Sequence, residues 1–135
     1  MLHLTESAHA AMVGHAYDGL PDEACGLLIG HPAPASIVRF HPSANLAASS
    51  KVYTVDPTEH LRADRAAEAE GMEIVGVMHS HTHTDAYPSP TDIAQAPDPG
   101  WHYLIVSLRD GAPVVRSFRI VDESIAEEPI SLVRG

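Results

Sequence analysis

One cysteine, Cys25, stands in 135 residues, so no internal disulfide can staple this chain and its stability must come from a core. Its length suits a single domain, residues 1–135, with interior enough for that. Lysine is as scarce: Lys51 is the only one beside seven arginines, against 18 Asp and Glu and a formal net charge of -10. That balance excludes binding to nucleic-acid phosphates, which needs clustered cations, and a neutral or basic macromolecular partner is expected instead. No stretch is long and apolar enough to span a bilayer, and Met1-Leu2-His3-Leu4-Thr5-Glu6 lacks the basic and apolar regions of a signal peptide. A cytoplasmic protein without a membrane partner is therefore expected. Repeats, low-complexity tracts and linkers are absent as well, and no domain boundary is proposed.

What is present reads as helix, strands, helix, strands. Thr5 is an N-cap for a helix to about Gly19, with Ala8, Met12 and Ala16 as its apolar stripe, and Pro21 ends it. Strands are expected at Cys25–Gly30 and Ser36–His41 with a turn at His31–Pro34 between them, then a small, polar loop over Pro42–Ser50 and renewed strand character over Lys51–Val55. That loop is long enough to contact substrate, with plain surface filler as the alternative. Asp56-Pro57-Thr58-Glu59 reads as a capping box opening a helix to Ala69, stopped by Gly71. Strands follow at Met72–Met78, Trp101–Leu108 and Val114–Val121, with Asp110-Gly111 as a hairpin turn and a short edge strand at Ile130–Val133 that is expected to support a homodimer. The fold class is α/β (α+β), a mixed β-sheet flanked by helices.

The strand from Met72 is β-branched and apolar, so it is read as buried, and it ends in His79-Ser80-His81. Side chains two apart share a face, so His79 and His81 can aim at one point while Ser80 looks away. Ser89-Pro90-Thr91-Asp92 is a helix start: Ser89 at the N-cap, Pro90 at the first position, Asp92 in the first turn. If the loop folds back, Asp92 completes two imidazoles and a carboxylate, the protein ligands of a catalytic zinc site with a fourth position left for water.

The spacing His-x-His, seven residues, Ser, two residues, Asp resembles the metal motif of the JAMM (MPN+) metalloprotease family. Pro21-Asp22-Glu23-Ala24-Cys25-Gly26-Leu27-Leu28-Ile29-Gly30 resembles that family's glutamate segment in its bacterial form, and Asn45 and Val52–Pro57 resemble bacterial relatives too. Members commonly carry proline after the second histidine, where this chain has Thr82 and His83. The resemblance implies the MPN, cytidine-deaminase-like three-layer fold and one Zn²⁺ per chain, held by His79, His81 and Asp92. It further implies Glu23 as general base, taking a proton from the zinc-activated water and passing it to the leaving amine, and Ser89 as hydrogen-bond donor to the developing oxyanion. Taken alone, Glu23 reads as an exposed loop carboxylate and Ser89 as a plain helix cap. The implied substrate is a peptide or isopeptide bond after the C-terminal Gly-Gly of a ubiquitin-like or sulfur-carrier protein, as for small bacterial members that trim sulfur carriers. Two other readings stay open. One is a non-catalytic MPN-like binding module; the other is a cupin-type iron or manganese site using His79, His81 and Asp85. His83 is expected in the loop, unliganded, and Cys25 is read as a small buried core residue.

Overall fold

A computed structural model describes residues 1–135. The elements run β1 (Leu2–Thr5), α1 (Glu6–Asp18), β2 (Cys25–Pro32), β3 (Ala35–Ser43), α2 (Pro57–Ala69), β4 (Glu73–His81), α3 (Pro90–Ala94), β5 (His102–Ser107), β6 (Val114–Val121), β7 (Ser124–Glu128) and β8 (Ile130–Val133). All eight strands form one sheet in the order β7-β6-β5-β4-β2-β3-β1-β8. It is mixed, as expected: β4 runs parallel to β5 and antiparallel to β2, and β1 lies parallel to both β3 and β8.

Helices cover both faces, giving three layers. Thr5 caps α1 by accepting the Ala8 N–H, and the stripe Ala8, Met12, Ala16 is buried with Leu28, Met78, Leu104 and Val106 in one apolar cluster. Truncating a fully buried member such as Met12 to Ala costs roughly 2–5 kcal/mol, because the close-packed neighbours refill the space only in part. Asp56 caps α2 on the other face, where Ala63 and Ala67 pack with Leu27, Val77, Ile105 and Phe118. Gly71 ends that unit at φ 71, a left-handed conformation that glycine adopts without a side-chain clash.

β4 is covered on both faces, which is why its sequence is a continuous apolar run. Pairing with β2 skips a residue between Gly76 and Ile74, and this bulge at Val75 turns Val75 toward the α1 layer while Ile74 and Val77 face α2. Gly76 sits where β5 comes closest: a Cβ there would lie 2.1 Å from the His102 carbonyl oxygen.

Two expectations are corrected. Lys51–Val55 is not a strand but makes a single bridge, Asn45 to Val55. The Asn45 side chain explains this: its amide donates to the carbonyls of Glu23 and Val52, and its oxygen accepts the Thr54 N–H, taking groups a ladder would need. Glu59 closes no capping box; its carboxylate turns to His41 at 3.0 Å and Arg62 at 3.1 Å. Strands β1 and β7 were not anticipated. The expected edge strand is there, as β8, and no helix is long and apolar enough to cross a membrane.

Candidate active site

At the C-terminal end of β4 the side chains alternate as a strand requires. Ser80 points away from the histidines, and its hydroxyl accepts the Ala24 N–H at 2.8 Å while its own N–H donates to the Ala24 carbonyl at 2.9 Å. This reciprocal pair carries the β2–β4 ladder one step past Cys25 and His79. It holds the neighbouring Glu23 against the end of β4.

α3 has five residues, too few to persist alone, and reciprocal capping holds it. The Ser89 hydroxyl oxygen accepts the Asp92 N–H at 3.1 Å, and the Asp92 Oδ2 accepts the Ser89 N–H at 2.9 Å. That same Oδ2 is turned on the histidines. His79 Nε2, His81 Nε2 and Asp92 Oδ2 form a triangle whose edges are all 3.1 Å. The three side chains are 2%, 4% and 7% exposed, so bulk water does not stand in for a partner.

Proton accounting shows what this triangle wants. His81 Nδ1 lies 2.7 Å from the Asp85 carbonyl oxygen, which can only accept, so Nδ1 carries the proton and Nε2 of the neutral ring is bare. A bare Nε2 then faces a carboxylate, lone pair against lone pair. Either an added proton or a metal cation relieves that conflict. The donors fit the second: corners 3.1 Å apart match three positions of a tetrahedron with ligand distances of ~2.0 Å. Without a cation, burial draws the His79 pKa down. Burial also works to lower His81, but the Asp92 carboxylate and the Asp85 carbonyl outweigh it and the pKa rises. Burial opposes the ionisation of Asp92, yet with the added proton in place hydrogen bonds from both imidazoles hold it well below the usual carboxylate range.

Glu23 is 4% exposed, and its Oε1 has no hydrogen-bond partner. Burial pushes its pKa up to about 7; the His81 charge pulls it back, and Asp92 adds to the rise. Glu23 shares a cavity of about 460 Å³ with His81 and Ser89. Because the Ser89 oxygen is an acceptor in the cap, its hydroxyl proton is left to donate.

The structure thus brings Glu23, His79, His81, Ser89 and Asp92 into one place and leaves others out. His83 lines the same cavity but is exposed and outside the triangle, and its Nδ1 meets the Thr82 hydroxyl at 2.8 Å. Asp85 reaches His81 through its backbone carbonyl, while its carboxylate pairs with Arg109 at 2.6 Å. The His79, His81, Asp85 ligand set of the cupin reading therefore does not assemble. Cys25 is fully buried, and burial pushes its thiol pKa up to about 11, as befits a core residue. Tyr53 was missed: it stacks on His79 with ring centroids 4.4 Å apart and planes 13° apart. No local signal announces a contact between residues so distant in sequence.

Residues 5–121 match the family described as prokaryotic homologs of the JAB domain. The chain belongs to this JAB/MPN family. It is 44% identical over 124 residues to the CysO-cysteine peptidase of Mycobacterium tuberculosis, covering 91% of this chain and 85% of that protein. It is also 38% identical over 111 residues to a desampylase of Haloferax volcanii, covering 78% of this chain and 80% of that one. The solution structure of a protein from Desulfitobacterium hafniense superposes with a TM-score of 0.92 at 38% identity, spanning 100% of this chain and 94% of the other. As a JAB-domain protein the chain is an enzyme of the family's JAMM peptidase type, and the triangle at the end of β4 is its candidate metal centre.

Proposed function

We propose that the protein is a zinc-dependent peptidase that hydrolyses the bond after the C-terminal Gly-Gly of a ubiquitin-like or sulfur-carrier protein. The observation that carries the chemistry is the bare His81 Nε2 facing the Asp92 carboxylate beside a buried, unpartnered Glu23 oxygen. His79, His81 and Asp92 would hold the metal. Zinc bound there supplies a Lewis acid that brings the pKa of a water to about 7. Glu23, buried beside that position with one carboxylate oxygen unpartnered, is placed to accept a proton from water and hand it to the leaving amine. Ser89 donates its hydroxyl proton to the carbonyl oxygen as negative charge grows there. The His81–Asp85 hydrogen bond fixes the ring that presents Nε2, and Tyr53 covers one face of His79 against water.

The substrate class rests on the sequence resemblance and is supported by the two relatives, a CysO-cysteine peptidase and a desampylase. The test is elemental analysis of the purified protein with cleavage of a ubiquitin-like carrier extended by one residue after Gly-Gly, for wild type and Glu23→Gln. About one zinc per chain and Glu23-dependent cleavage is the expected result. Zinc without cleavage would defeat the substrate reading, and no zinc would defeat the ligand assignment.

A further inference from the structure

None of the residues lining the cavity shared by Glu23, His81 and Ser89 is of a hydrophobic type, and Ser50, Thr82 and Thr84 bring hydroxyls to it. Its one fixed cation is Lys51, the single lysine of a chain with net charge -10. None of the ion pairs in the molecule takes Lys51; Arg65, Arg119 and Arg134 stand outside them as well, but no arginine lines this cavity. A lysine outside those ion pairs, lining the cavity that holds Glu23, His81 and Ser89, is able to meet a carboxylate there.

The backbone that carries it is held firmly. Glu23 N–H donates to the Ser49 carbonyl at 2.8 Å, and the Lys51 N–H donates to the Ser49 hydroxyl at 3.0 Å. The Asn45 amide spans the carbonyls of Glu23 and Val52, tying the residue after Lys51 to the candidate base just ahead of β2. On the opposite wall the Thr82 hydroxyl donates to the Ser50 carbonyl at 3.5 Å and accepts from His83 Nδ1 at 2.8 Å. The loop is thereby tied to the residue that follows His81. The backbone of Lys51 is held beside both Glu23 and His81, and its exposed side chain lines the cavity they share.

Resting on the peptidase reading, we propose that Lys51 selects the leaving group: its ammonium pairs with the free α-carboxylate of a single amino acid joined to the terminal glycine of the carrier tail. In the reaction the water oxygen bonds to the glycine carbonyl carbon and the C–N bond breaks. Both water protons end on the departing amine, which leaves as an ammonium, giving a carrier that ends in a glycine carboxylate and a free amino acid. An isopeptide-linked lysine has its own carboxyl locked in its protein's backbone, so it gains nothing from Lys51. The site is built for trimming one C-terminal residue rather than for removing a carrier from a protein side chain.

The experiment compares zinc-loaded enzyme on two carriers that end in Gly-Gly plus one amino acid, the last residue being a free acid in one and a carboxamide in the other. Wild type is expected to favour the free acid by about 10- to 100-fold in kcat/KM, the range of one charge-assisted contact. Lys51→Met should bring that ratio close to one, and Lys51→Arg should restore most of it. A loop that merely distorts in Lys51→Met would lower both substrates together and leave the ratio standing, which would overturn the proposal. Equal wild-type rates on the two carriers would overturn it alone, and failure to cleave either would overturn the peptidase reading and this proposal with it.

Discussion

Two buried histidine–carboxylate clusters sit in this sheet, and they are opposites. At the start of β5, His102 Nδ1 donates to Glu128 Oε2 at 2.7 Å, and the Ser117 hydroxyl donates to the same oxygen at 3.0 Å. Donors meet an acceptor, and the group is complete as it stands. At the end of β4, His79 Nε2, His81 Nε2 and Asp92 Oδ2 converge at 3.1 Å with too few protons among them. The residue types are nearly the same in both. What separates a strut from a candidate metal centre here is that the second ring nitrogen of His81 is committed elsewhere, Nδ1 to the Asp85 carbonyl, while His79 Nδ1 has no partner. Buried imidazole beside carboxylate is thus weak evidence for a metal until the tautomer has been worked out.

The largest effect that would break this contrast is at Asp92. Asp92→Ala removes one corner of the triangle and one half of the α3 capping box. It should lose most of the bound zinc and all measurable hydrolysis, by metal analysis and carrier cleavage, whereas His83→Ala, outside the triangle, should keep its zinc. The reverse pattern would defeat the ligand set. Glu23→Gln comes next: zinc retained, hydrolysis down by about 10²- to 10⁴-fold, the range for a lost general base. Ser89→Gly separates two duties of one side chain. Glycine is a tolerable N-cap, costing only a few tenths of a kcal/mol, so melting should hardly move while kcat falls by about 10²- to 10³-fold through the missing donor. An unchanged kcat would leave Ser89 as a cap and nothing more.

The sequence made one cluster legible and hid the other. His79, His81 and Asp92 were readable because two ligands lie two apart on a strand and the third sits on a helix start written in Ser89-Pro90. The caps at Thr5 and Asp56 likewise announced both long helices. His102 and Glu128 are partners only because β5, β6 and β7 lie side by side, and no local spacing encodes that. β7 was invisible for a related reason: its turn uses Asp122 and Glu123 at φ 49 and 63 in place of the usual glycine or asparagine. β1 is four residues long and owes its existence to parallel partners on both sides, β3 and β8. The Lys51–Val55 error teaches the same lesson, since the competing Asn45 side chain is a tertiary feature in a segment whose composition suits a strand.

The smallest effect probes the complete cluster. Burial works to raise the Glu128 pKa, but the hydrogen bond and charge of His102, with Ser117 helping, bring it below the ordinary value of 4.5. A carboxylate depressed in the folded state adds stability that is fully present above its unfolded pKa and is lost as pH falls through the lower folded value. Glu128→Gln should therefore cost about 1 kcal/mol at pH 7, a few degrees in Tm, and the gap to wild type should narrow as pH drops below 4.5. Chelation supplies the comparison. Gly76, which pairs with His102, and His79 are three residues apart on β4, about 10 Å along the strand, so the two clusters should act independently. Stripping zinc should lower the Tm of wild type and Glu128→Gln by the same amount. A Glu128→Gln penalty that vanished on chelation would mean the two clusters form one network, and the distinction drawn between them would fall.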